Sequence, residues 1–147
     1  MKQIRISCRG LVLHEDKILL QNIDGRDFWN VPGGGFEHTD ASVQDCVERE
    51  ILEETGMRTE AGRLLFVQEL QSNECEQIEL FFAMKPIDPA EYSEYCTDSD
   101  APELINRLCW FALADIAEMQ IKPSKLQAIL GDLLSVNVDI FTSEIKN

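Results

Sequence analysis

Apolar positions change their period along the chain, and each change marks an element. Residues 3–13 carry Ile4, Ile6, Cys8, Leu11, Val12 and Leu13 and read as a strand. His14-Glu15-Asp16 is a polar turn, and Lys17 to Asn22 reads as a second strand, antiparallel to the first. Asp24 to Asp27 is a loop that leads through Phe28-Trp29-Asn30-Val31 into three glycines. Val43, Val47 and Ile51 then recur every four residues, the spacing of one helix face. Asp40 or Ser42 can cap this helix, and Gly56 can stop it. Ala61 to Gln71 and Gln77 to Met84 alternate as two strands of a hairpin with a longer loop. Residues 86–103, with Pro86, Pro89, Pro102 and many acids, read as a long loop. Leu108 to Phe111 is a last strand, Asp115 to Met119 a helical turn, and Ser124 to Leu134 a helix. The tail from Asn137 to Asn147 suits an extra strand or a homodimer contact.

The acids of the first helix change this picture. At about 100° per residue, Glu50, Glu53 and Glu54 fall within roughly a 100° arc. Val43, Cys46 and Val47 share or border that arc, whereas Gln44, Asp45 and Glu48 point away from it, as a solvated face should. Three neighbouring anions beside a buried face repel, and desolvating each costs several kcal/mol unless it is compensated. A hard dication is the obvious compensation, because Mg²⁺ favours oxygen ligands. Arg49 stands four residues before Glu53 and can pair with it.

The stretch from Gly34 to Met57 resembles the Nudix box, G-x5-E-x7-R-E-U-x-E-E-x-G-U with U aliphatic. Arg49, Glu50, Ile51, Glu53, Glu54, Gly56 and Met57 fit it position by position, and Val31-Pro32-Gly33-Gly34-Gly35 is also family-like. The first half departs from the pattern. Counted forward from Gly34 the box glutamate falls on Asp40; counted back from Arg49 it falls on Ala41. An acid in so irregular a segment is expected to matter less to activity than Glu54. The resemblance implies one α/β domain over residues 1–147. Its architecture would be an α/β/α sandwich with a mixed central sheet and the box helix packed on it. It also implies metal-dependent hydrolysis of a nucleoside diphosphate linked to another group, with Mg²⁺ as cofactor and Mn²⁺ as its substitute. Glu50, Glu53, Glu54 and the Gly33 carbonyl would hold the metal, and Glu53, Glu54 and Arg49 would form the catalytic set. A nucleoside triphosphate or nucleotide sugar is the residual substrate. A catalytically weak domain that senses nucleotides is the alternative, motivated by the displaced first acid.

Other residues are candidates for the small-molecule nucleotide itself. Gly34 lets backbone approach a ligand closely. Arg9 shares one strand face with Arg5 and can reach phosphate or pair with a surface acid. Trp29 stacks on a base or covers core at the sheet edge. Glu69 and Glu79 lie on partly apolar strand faces and look into the cleft or into solvent. Glu94, Asp98, Asp100 and Glu103 in the long loop are candidates for an outer metal ligand or a general base. The formal charge of −14 argues against nucleic acid or an anionic membrane as the main partner. Five scattered cysteines without a C-x-x-C pair suggest reduced thiols and a cytoplasmic setting. No apolar run is long enough to span a membrane, and the opening residues do not read as a signal peptide.

Overall fold

The computed structural model of the chain describes residues 3–23, 25–71, 73–88 and 106–135. Strands β1 (Gln3–His14), β2 (Lys17–Ile23), β3 (Gly33–Gly35), β4 (Thr59–Gln71), β5 (Cys75–Pro86) and β6 (Asn106–Ala112) form one mixed sheet. The strand order is β4-β5-β1-β2-β6, with β3 paired to β1. β1 and β5 run parallel, while β1–β2, β1–β3, β2–β6 and β4–β5 are antiparallel. Helix α1 (Val43–Thr55) follows β3, and a 3₁₀ turn (Leu113–Glu118) leads towards helix α2 (Lys125–Ser135). The expected long loop begins later than residue 86, because Pro86 ends β5; the part of the loop beyond Asp88 and the tail lie outside the described residues.

β1 explains why its own pattern is nearly continuous rather than alternating. Its centre is covered on both faces, as a strand between two helical layers must be. On one face Cys8 and Val12 join Leu19, Phe82 and Met84 beneath Cys46, Val47 and Ile51 of α1. On the other, Leu11 joins Ile18, Leu20, Phe66 and Phe81 beneath Leu126 and Leu130 of α2. The architecture is thus the α/β/α sandwich expected from the sequence. Burying each of the large side chains contributes about 1.5–3 kcal/mol. Phe66 and Phe81 stack with centroids 4.2 Å apart and planes 8° from parallel.

Two local devices set the site's position. Ser42 rather than Asp40 caps α1, accepting the Asp45 N–H at 3.1 Å, and Gly56 ends it in the left-handed conformation at φ 75°. Glu48 is not simply solvated, because its carboxylate accepts the Ala61 N–H at 3.2 Å and ties α1 to β4. α1 can approach β1 closely because residue 10 is glycine: a Cβ there would run into Ile51 Cδ1 and Met84 Cγ. Gly10→Ala is expected to cost about 1–3 kcal/mol by overpacking. The check is the midpoint of a urea unfolding curve; an unshifted midpoint would mean that the contact relaxes freely.

Candidate active site

The glycine turn and α1 are joined by one side chain. Arg49 donates from Nε and Nη2 to both oxygens of Asp40, at 2.7 and 2.9 Å. Its Nη1 reaches Glu50 at 3.0 Å and Glu53 at 3.1 Å, and Nη2 also reaches the Gly35 carbonyl at 3.1 Å. The pairing with Glu53 is the one foreseen from the four-residue spacing. The pairing with Asp40 answers the ambiguity of the irregular segment: Asp40, not Ala41, is the acid that meets Arg49. Asp40 also accepts the Glu37 N–H at 2.9 Å, closing the turn that carries the extra residue. The Arg49 hydrogen bonds hold the Asp40 carboxyl down at about 2.

The three box acids lie at the rim of α1, not under it. The Glu50 side chain is 14% exposed and that of Glu53 58%. Glu50 packs so closely on Gly34 that a side chain there would overlap its carboxylate. Glu54 keeps an open side to solvent, yet it is the acid least compensated. Its Oε2 accepts the Gly33 N–H at 3.2 Å, and Arg49 does not touch it. Crowding by protein atoms outweighs that hydrogen bond, Glu50 and Glu53 add repulsion, and the carboxyl is pushed up to about 7. Arg9 opposes this from a distance.

Among the described residues no three acids, histidines or cysteines converge into a ready cage. The donor chemistry nevertheless fits a hard dication. The groups are carboxylate oxygens beside a glycine backbone, and Glu54 is short of positive charge in the metal-free protein.

On the α2 side of the sheet lies a separate cleft of about 490 Å³. Arg9, Asn30, Gln68, Gln77 and Glu79 line it, and Lys122 and Lys125 stand at its edge before and at the start of α2. Of the two strand acids, Glu79 looks inward: it is 5% exposed and accepts Arg9 Nε at 2.6 Å. Glu69 is exposed on the opposite sheet face and accepts from Gln71. Arg9 thus faces the cleft and pairs with an acid, but with the buried Glu79 rather than a surface one. Trp29 does not line the cleft. Its ring packs edge-on against Phe111 at 4.9 Å, with Arg107 5.3 Å above it, so it covers core. Its neighbour Asn30 takes the cleft position, with Oδ1 buried and unbonded among the described residues. Asn30, Gln68, Lys122 and Lys125 were not picked out from the sequence, where isolated amides and lysines carry no pattern. Glu94, Asp98, Asp100 and Glu103 lie outside the described residues.

The buried thiols of Cys8 and Cys46 touch each other under α1, and burial pushes both upward. No helix among the described residues is long and apolar enough to cross a membrane.

A glycine turn pinned to an acidic helix, on an α/β/α sandwich, defines a class that comparison then identifies. The family model for the NUDIX domain matches residues 4–130. The chain belongs to the Nudix family, and its enzyme class is that of the family's pyrophosphohydrolases. No curated protein matches the sequence. Among solved structures, a MutT Nudix hydrolase from Burkholderia pseudomallei is 22% identical with a TM-score of 0.61, over 88% of this chain and 98% of that one. An ADP-ribose pyrophosphatase from Streptococcus suis is 20% identical with a TM-score of 0.61, over 91% and 94%. A UDP-X diphosphatase is 21% identical with a TM-score of 0.65, over 97% and 68%. At these identities the likeness is one of fold.

Two outcomes follow from the charges. Asp40→Asn removes the acid that anchors Arg49, and is expected to destabilise by about 1.5–3 kcal/mol, the range of a charge-assisted bond. Because the folded carboxyl is depressed to about 2, this stability is fully present above the ordinary carboxylate range and is lost as pH falls towards 2. Urea midpoints of parent and variant should therefore converge between about pH 4 and pH 2. Glu54 has the opposite sign. Its folded value of about 7 lies above the unfolded one, so the chelated protein loses stability as pH rises from about 4.5 to 7. Glu54→Gln should melt higher than the parent at pH 8 with chelator present, and the advantage should shrink towards pH 4. A lower melting temperature at pH 8 would show that the carboxylate serves a structural bond instead.

Proposed function

We propose that the protein is a Mg²⁺-dependent hydrolase of a nucleoside diphosphate linked to another group, with a nucleoside triphosphate or a nucleotide sugar as substrate. The observation that carries this reading is Glu54, an acid that among the described residues makes no ion pair, beside a glycine turn, while its neighbours are held by Arg49. Glu50, Glu53, Glu54 and the Gly33 carbonyl would hold the metal. Mn²⁺, also a hard ion, would substitute. When bound, the ion neutralises phosphate charge and lowers the pKa of water at the site.

The remaining tasks fall to the chain's own groups. Arg49 fixes Glu50 and Glu53 and so limits the entropy lost when they engage a ligand. Glu53, exposed at the rim and oriented by Arg49, is the candidate to take a proton from an attacking water. Arg9, lying between the cleft and the turn, is placed to contact phosphate. The cleft's amides, Asn30, Gln68 and Gln77, both donate and accept, as reading a nucleoside or sugar requires. Gly34 leaves room for Glu50 and for backbone approach. A binding-only domain would have little use for an acid as uncompensated as Glu54, which disfavours the sensor alternative. Support for a nucleotide substrate also comes from the neighbours, which include an ADP-ribose pyrophosphatase and a UDP-X diphosphatase.

The test is a panel of nucleoside triphosphates, nucleotide sugars and dinucleotides, followed by phosphate and pyrophosphate release. Turnover should require Mg²⁺ or Mn²⁺, vanish with chelator and fall by about 10²-fold or more in Glu54→Gln. Tight binding across the panel with no turnover would favour the sensor instead.

A further inference from the structure

We propose that Glu79 is a positioning residue. It holds Arg9 by Nε so that the free Nη2 edge is presented to the diphosphate bridge of a ligand spanning the cleft and the acidic rim. The role of that bridge rests on the function proposed above. Arg9 is fixed at two points, Nε on Glu79 at 2.6 Å and Nη1 on the Val31 carbonyl at 3.1 Å. Among the described residues Nη2 has no partner. Two fixed points set the plane of a guanidinium, and the unused edge is then a preorganised donor pair. The Arg9 side chain is 22% exposed and lines the cleft, so the residue is open to a ligand there.

Glu79 is an unusual choice for its place. It sits opposite Gln68 on β4, and Gln77 precedes it on the same face of β5. Neutral amides fill those neighbouring positions, so packing alone does not call for a carboxylate. Burying one is costly unless a cation answers it, and Arg9 is the cation that does. The location of Arg9 gives the pair its use. The Arg9 stem lies against Gly33, where a Cβ would stand 2.8 Å from Arg9 Cγ. The Gly33 N–H is the one bonded to Glu54, and the Arg9 charge is felt at that carboxyl. Glu79, at 2.6 Å, holds the Arg9 guanidinium on the cleft side of the turn. A ligand that reaches from the cleft across the turn passes Arg9, which lines the cleft and packs on Gly33.

The experiment uses inorganic pyrophosphate with Mg²⁺, titrated by calorimetry into the full chain, with melting curves to verify folding. Glu79→Gln should weaken binding about 10-fold, as expected when a charge-assisted anchor is lost. Glu79→Asp, which keeps the charge, should recover most of it. Arg9→Ala should weaken binding to a similar degree, and Arg9→Ala with Glu79→Gln no further than Arg9→Ala alone, because Glu79 acts through Arg9. The double variant leaves no buried charge unpaired and stays informative if a single variant fails to fold. With the substrate from the panel, Glu79→Gln should raise KM more than it lowers kcat. Pyrophosphate binding in Glu79→Gln within about twofold of the parent, or losses that multiply in the double variant, would overturn the assignment. These binding results do not require turnover. An inactive panel with Glu79-dependent pyrophosphate binding would sink the hydrolase reading alone, and turnover with Glu79-independent binding would sink this one alone.

Discussion

The site depends on a single cation placed among acids. Arg49 spends its donors on Asp40, Glu50, Glu53 and the Gly35 carbonyl, tying the irregular turn to the helix that follows it. Each carboxylate alone would be a weak, screened partner at a helix surface. Together they hold one planar group whose donors are fixed relative to one another, so placing any one partner helps to place the rest. The same arrangement concentrates the unmet charge. With Arg49 committed, Glu54 is left, among the described residues, to the backbone N–H of Gly33, and its carboxyl rises to about 7. The acid with the most strongly raised carboxyl is the one its organising cation does not reach.

That division is conveyed to the rest of the molecule through Gly33. Its φ of +156° and its contact with the Cys8 carbonyl and the Arg9 backbone leave no room for a side chain. Helix, turn and sheet thus meet where only backbone fits between Arg9 and Glu54. Arg49 on the α1 side and Arg9 on the α2 side play parallel parts. Each is held by a well-buried acid, Asp40 or Glu79, and each lies near acids that are open to solvent.

The fold was largely legible because its signals are periodic. The four-residue recurrence of Val43, Val47 and Ile51 gave α1, and alternation gave the β4–β5 hairpin. The Arg49–Glu53 pairing is likewise local and was readable from spacing. What escaped is non-local. Asp40 and Arg49 are nine residues apart across a turn with an extra residue, so counting positions left Asp40 and Ala41 both open, and only the turn's geometry separates them. Glu79 and Arg9 are 70 residues apart and meet because β1 and β5 run in parallel register. Glu69 and Glu79 have equivalent local patterns, yet β4 shifts register between Ala61, Leu64 and Phe66, and the two acids end on opposite faces. Trp29 shows the limit for aromatics: its neighbours gave no sign that Phe111 would claim its ring.

The charge of the chain gains a different meaning once the residues are placed. With 27 acids and 13 lysines and arginines, the molecule as a whole repels anions. Among the described residues the cleft reverses this locally, setting Arg9, Lys122 and Lys125 against Glu79. At about 0.15 M salt, charges are screened beyond roughly 8 Å, so a phosphorylated ligand inside the cleft responds to these cations more than to the distant acidic surface. The acidic rim of α1 is the complementary end, attractive to a dication and hostile to bare phosphate. A ligand that joins the two ends must therefore carry negative charge to the rim in company with a metal ion. An anion without the metal is favoured only on the cleft side of Gly33. The two arginines, fixed by different acids, keep those ends distinct.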